Sequence, residues 1–172
     1  MHKNNLNSYP SSNISHLKLS LVPGIGPKTF ALIQNKYNNN ICDLWNEINT
    51  NKKLNLSENL SKILKNTNQS IIKEKINVIL TWLDQEHNNI IFNDPNNKNY
   101  PKLLKEIADP PPVLYIKGNL KALQTTQMAI VGARHMSRYG KKNTQFFTQE
   151  LVKQGFTITS GMAIGIDTIA HH

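Results

Sequence analysis

The spacing of apolar positions changes along this chain and divides it into a helical part and a strand-bearing part. Leu17, Leu19 and Leu21 lead into Val22-Pro23-Gly24-Ile25-Gly26-Pro27. Phe30, Ala31, Leu32 and Ile33 then suit a short helix beginning near Pro27 or Lys28, where a proline fits the first turn. Asn38-Asn39-Asn40 marks a loop, and Ile41, Leu44, Trp45 and Ile48 return to helical spacing. A polar loop near Asn49 to Lys53 follows. Leu60, Ile63 and Leu64 predict a further helix with Ser57 as its N-cap. Ile71 to Leu83 is the longest amphipathic stretch, with Ile72, Ile76, Ile79, Leu80 and Leu83 on one face. Trp82 reads as a packing anchor, and Lys73 and Lys75 as a solvated face.

Beyond this the apolar runs shorten. Ile90-Ile91-Phe92 predicts a short strand, residues 93 to 99 a loop, and Leu103 to Ala108 one or two helical turns. Asp109-Pro110-Pro111-Pro112 must be extended, because proline lacks a donor and disfavours a preceding helix. Val113 to Ile116 predicts a second strand before Gly118, and Leu120 to Leu123 a brief helix. Met128 to Val131 is a third strand-like run and ends at Gly132. Arg134, Ser137 and Tyr139-Gly140 lead to an amphipathic stretch, Gly155, and a run from Phe156 to Thr159. That run breaks into Ser160-Gly161-Met162-Ala163 and Gly165-Ile166-Asp167. Strand, glycine turn, helix, strand, glycine turn is the order of a β-α-β unit.

Charge adds a partner class. The formal net charge is +9 and the pI about 9.7, which favours nucleic acid or an acidic membrane surface. Hydrophobic residues make up 38%, and no apolar run approaches a membrane span. The start, MHKNNLNSYPSSN, has no signal-peptide core, so residues 1–15 read as a polar, disordered leader of a cytoplasmic protein. A single cysteine, Cys42, permits no intrachain disulfide, which fits a reducing compartment. Histidines are scattered except for His171-His172, so no metal site is expected.

The two glycine turns carry the candidate chemistry. Parallel neighbours would place Gly132 on the same sheet edge as Gly161 and Gly165, where exposed N–H groups favour anions. Arg134 supplies a charged fork for phosphate oxygens. The first turn is neither G-x-G-x-x-G nor a P-loop, so no nucleotide cofactor is expected. Asp167 and His171 stand four apart and would share a helix face, either as an acid/base pair or as a cap with a packing histidine. Ser160 is not in a G-x-S-x-G elbow. No catalytic set emerges, and the chain reads as a binding protein rather than an enzyme. Near the start, Leu21 to Pro27 resembles a helix-hairpin-helix turn. Gly24, Gly26 and Lys28 could there face a secondary DNA phosphate, or the hairpin could serve only to pack.

VGARHMSRYG followed by ITSGMAIGIDTIAHH resembles the signature of the DprA/Smf family, the bacterial DNA-processing protein A family. Tyr100-Pro101, Leu103-Leu104, Ile107, Asp109-Pro110-Pro111, Val113-Leu114-Tyr115 and Gly118 resemble its upstream segment, and Leu21 to Pro27 its N-terminal element. Ala133 stands where Ser is more usual. The resemblance implies an α/β protein: a small helical, SAM-like helix-hairpin-helix domain over 16–85, a connecting segment with first strands over 86–124, and a Rossmann-like parallel sheet from 125. The connecting segment would add a strand beside that sheet. Further β-α units would be needed after His172, so 125–172 is expected to be incomplete and poorly ordered in isolation. The resemblance implies single-stranded DNA as ligand, natural transformation as the setting, RecA as partner, and a homodimer for the complete protein. Its DNA-binding residues would be Gly132, Ala133, Arg134, Ser137, Tyr139, Gly140, Ser160, Gly161, Met162 and Gly165. Two other readings compete. One is a Rossmann-like nucleotide phosphoribohydrolase of the lysine-decarboxylase-like type, which would need acidic and arginine residues not seen here. The other is a helix-hairpin-helix interaction module whose binding would reside in residues 16–85.

Overall fold

The computed structural model describes residues 9–95 and 97–172. The chain divides into two compact units, Met1–Leu120 and Lys121–His172. Residues 1–8 of the expected leader lie outside the described residues. Its remainder is not a tail, because helix α1 spans Ser11–Ser20. Leu17 and Leu19 point to opposite sides of α1 and enter different apolar clusters. Burial on both sides explains why propensity and periodicity announce no helix here: packing, rather than an amphipathic stripe, holds the segment. Trp45 Nε1 adds a hydrogen bond to the Ser15 carbonyl at 3.1 Å.

Helix α2 (Pro27–Lys36) starts with proline in its first turn, as the sequence predicts, and the structure makes Gly26 its N-cap. It stops where Asn38 and Asn39 adopt left-handed torsions, φ 48° and 63°, which asparagine tolerates better than most residues. Helices α3 (Ile41–Asn49) and α4 (Glu58–Asn66) complete the first cluster around Phe30, Ile33, Leu44 and Leu64. Ser57 Oγ accepts from the Leu60 N–H at 3.4 Å and caps α4. Helix α5 (Gln69–Leu83) begins two residues before the stretch predicted from Ile71, because the Asn68 side chain accepts from the N–H groups of Ser70 and Ile71. Ile72, Ile76 and Leu80 pack with Leu17 in the second cluster.

Strands β1 (Asn88–Phe92) and β2 (Val113–Lys117) form an antiparallel pair, with Ile90 opposite Tyr115. This corrects the expectation that this segment adds a strand to the Rossmann-like sheet: the two sheets are separate. Burial decides it. Ile90, Phe92 and Val113 pack against the α5 cluster, and Trp82 meets Tyr115 edge-on at 6.0 Å. Between the strands, α6 is one short turn, Lys102–Lys105. Tyr100, 1% exposed, donates its hydroxyl to the Pro111 carbonyl at 2.8 Å and staples the proline-rich segment to the loop before it.

The second unit opens with a 3-10 turn that begins at Leu120 and runs to Gln124. Strand β3 (Gln127–Ala129), helix α7 (Arg138–Lys153), strand β4 (Thr157–Thr159) and helix α8 (Ile166–Ala170) follow. β3 and β4 are parallel, with Met128 opposite Ile158. The strand-turn-helix-strand order read from the sequence is therefore present. At the end of α7, Gly155 takes φ 88° and turns the chain into β4. The inner face of α7 buries Thr144 and Thr148, whose hydroxyls bond back to the carbonyls of Gly140 and Thr144. Among the described residues no helix is long and apolar enough to cross a membrane.

Candidate nucleic-acid interface

Both glycine turns leave the same edge of the β3–β4 pair, because parallel strands end on one side. The pairing continues past the strands: Ile130 N–H donates to the Thr159 carbonyl at 2.9 Å. Two further bonds tie the loops themselves. Ser160 Oγ donates to the Ile130 carbonyl at 2.7 Å, and the Ile166 N–H donates to the Ala133 carbonyl at 3.2 Å.

The close approach of the loops requires the glycines. A Cβ at Gly132 would lie 2.6 Å from the Ile166 side chain. Gly165 has φ 96°, and a Cβ there would meet the carbonyl oxygens of Ala133 and Arg134 at 2.3 and 2.5 Å. Each loop thus occupies the space a side chain would take in the other. Ile166 carries no signal of its own in the sequence. Its importance follows only from the fold, which sets it against Gly132.

Several groups expected to face an anion are engaged within the protein. The Gly161 N–H donates to Asp167 Oδ2 at 3.1 Å. Ser160 gives its hydroxyl proton to the Ile130 carbonyl. Ser137 Oγ accepts from the Gly140 N–H at 3.0 Å and caps α7, so Tyr139 and Gly140 lie in its first turn rather than in the preceding loop. Met162 holds φ 56°, an uncommon torsion for a long side chain, and is 77% exposed.

Arg134 stands differently. It is exposed on the first loop, and no carboxylate pairs with it among the described residues. Arg138, Lys141 and Lys142 are exposed at the start of α7 nearby in sequence. From Lys121 to His172 the cations are Lys121, Arg134, Arg138, Lys141, Lys142 and Lys153, against the carboxylates Glu150 and Asp167. Asp167 is buried at 8% exposure and turned to Gly161, so the surface is more positive than composition alone states.

The Asp167–His171 pair does not converge on a substrate space. Asp167 bonds to loop backbone, and His171 Nε2 lies 3.5 Å from the Ser160 carbonyl. The capping and packing alternative is not met either: α8 has Gly165 as its N-cap with no side-chain cap bond, Asp167 ties down the Gly161 loop instead, and His171 is exposed. Among the described residues no cluster of His, Cys, Asp and Glu could hold a metal ion.

In the first unit, Gly24 adopts φ 85° and Gly26 caps α2, while Ile25 is buried in the apolar cluster. Lys28 pairs with Asp109 at 3.5 Å. The hairpin therefore has a packing duty, and its one lysine already has an anionic neighbour.

Comparison with known proteins gives the same direction. Residues 90–172 match the family of the DNA recombination-mediator protein A. Protein Smf of Escherichia coli (strain K12) is 39% identical over 102 residues, covering 59% of this chain and 27% of that protein. DNA processing protein DprA of Bacillus subtilis (strain 168) is 36% identical over 109 residues, covering 63% of this chain and 36% of that protein. The X-ray structure of DNA processing protein A from Streptococcus pneumoniae is similar over 95% of this chain and 53% of its own, at 27% identity and a TM-score of 0.57. The matched stretch thus spans about a quarter to a third of the length of these curated relatives. The resemblance to the DprA/Smf family is borne out, and the matched region contains both glycine loops.

Proposed function

We propose that this chain, whose residues 90–172 carry the DNA recombination-mediator protein A signature, binds single-stranded DNA as a DprA-type protein of natural transformation and recombination. The observation that carries the reading is Arg134, exposed and without a carboxylate partner among the described residues, on a glycine loop that is locked against a second one at the same sheet edge. The interlock holds the loop backbone in place before any ligand arrives, which lowers the ordering cost of binding. The surrounding excess of cations favours a polyanion, and the guanidinium fork matches phosphate oxygens. Ala133 and Met162 contribute loop backbone, and Gly132, Gly161 and Gly165 set its shape.

The reading is of binding without turnover, because Asp167 and His171 are directed to loop backbone. It places the protein in the cytoplasm. For a longer protein of this type it extends to a homodimer that delivers DNA to RecA, to be checked by sedimentation and by RecA pull-down.

The experiment is fluorescence anisotropy of a labelled single-stranded oligonucleotide over a range of salt, with circular dichroism as the folding control. Arg134→Ala should weaken binding and reduce the salt slope by about 0.7 for each phosphate that is no longer neutralised. Lys28→Ala should change neither. If Lys28→Ala weakens binding and Arg134→Ala does not, the interface lies at the hairpin. If the folded wild-type chain binds no oligonucleotide, the reading fails.

A further inference from the structure

Helix α7 turns two different faces to its surroundings. Thr144, Thr148 and Leu151 lie on the side that packs within the unit. On the opposite side, spaced three or four residues apart, stand Tyr139, Lys142, Phe146, Gln149 and Lys153, all exposed. Tyr139 is 74% and Phe146 59% exposed. An outward helix face is ordinarily charged and polar. Here aromatic rings and cations alternate along it.

The charges do not stabilise the helix. Arg138, Lys141 and Lys142 sit at its start, where the macrodipole disfavours positive charge, and its first turn has no acidic residue. Lys153 differs, because it pairs with Glu150 at 2.7 Å, so the unneutralised charge is confined to the first half of α7. Phe146 meets Phe147 edge-on, with centroids 5.5 Å apart and planes at 70°, so a second exposed ring stands beside it.

We propose that the outward stripe of α7 from Arg138 and Tyr139 to Phe146 is a stacking track for single-stranded DNA that continues the Arg134 loop. It rests on the single-stranded-DNA reading above and adds the surface along which the strand runs. A strand with unpaired bases offers flat faces and phosphates in alternation, which the alternating rings and cations match. A duplex hides those faces. An apolar protein surface would have to bury Lys142 between the two rings. At a rise of about 1.5 Å per residue, Tyr139 and Phe146 stand about 10 Å apart along the axis, room for roughly three stacked bases at about 3.4 Å each.

The test uses the full chain and a fluorescein-labelled oligothymidylate, with an abasic oligonucleotide of equal length as the comparison ligand. Phe146→Ala and Tyr139→Ala should each weaken oligothymidylate binding about 5-fold to 150-fold, the range for loss of one stacked base. The salt slope should stay unchanged, and neither variant should alter binding of the abasic strand. Lys142→Ala should instead reduce the slope on both ligands. Val152→Ala, equally apolar and 56% exposed on another side of α7, should bind as wild type. If Arg134→Ala weakens binding while both aromatic variants match wild type, the track is wrong and the DNA-binding reading stands. If wild type binds neither ligand while folded, that reading fails and the track with it. Equal losses on the abasic and base-bearing strands would also overturn stacking.

Discussion

A Cβ on Gly165 would lie 2.3 Å from the carbonyl oxygen of Ala133, so the two glycine loops meet backbone to backbone. Gly165 also holds φ 96° with ψ −133°, a combination open essentially to glycine alone. Gly165→Ala should therefore destabilise the second unit by at least about 1–3 kcal/mol, from torsional strain before the clash is added. Gly155 is the comparison, since it has φ 88° but open space around its missing side chain. Gly155→Ala should cost less. Thermal melts, with hydrogen exchange over residues 157–170, measure both. Equal losses would mean that the interlock adds nothing beyond torsion.

Asp167 should matter for stability through one bond. Its buried carboxylate accepts the Gly161 N–H, and Asp167→Ala leaves that donor without its charged partner. The expected loss is about 1.5–3 kcal/mol, the range for hydrogen bonds to charged groups. Asp167→Asn keeps an acceptor oxygen and should lose less. Urea midpoints rank the three proteins, and an Asn variant no better than Ala would argue against the bond.

Ser137 caps α7, so Ser137→Ala should cost about 1 kcal/mol of stability. Ser137→Asp should restore the cap, since aspartate serves equally well there. The same change places a carboxylate in the loop-helix junction that carries Arg134, and should weaken oligonucleotide binding. Unchanged affinity in the Asp variant would separate this position from the ligand.

Alkaline pH should expose a weakness in the helical unit. Burial, and then a 2.6 Å hydrogen bond donated to Glu47, push the Tyr37 phenol up to about 12 from its usual 10. Between these values the unfolded chain has lost the proton and the folded chain still holds it. The stabilisation is therefore complete below about pH 10 and fades as pH rises towards 12. Tyr37→Phe should flatten the fall in stability across that window. A Phe variant with the wild-type pH profile would assign the alkaline loss to other groups.

Much of this architecture is legible along the chain, because its causes are local. Apolar spacing marks α2 to α5, Ser57 announces a cap, and the glycines at 132, 161 and 165 mark turns around short strands. Arg134 on the first turn follows from the same reading. The remainder depends on which distant groups meet. Residues 11–20 form a helix because Leu17 and Leu19 are buried on opposite sides, which no single apolar stripe records. β2 pairs with β1 because Ile90, Phe92 and Val113 have the α5 cluster to cover. The order of residues is enough to specify most of the elements, the two glycine loops and the positive charge around them. Folding in three dimensions was needed to turn the donors of Gly161 and Ser160 inward and to set Tyr139 and Phe146 outward. Torsional limits and periodicity act over a few residues, whereas hydrogen-bond partners and burial are set by segments that meet only after folding.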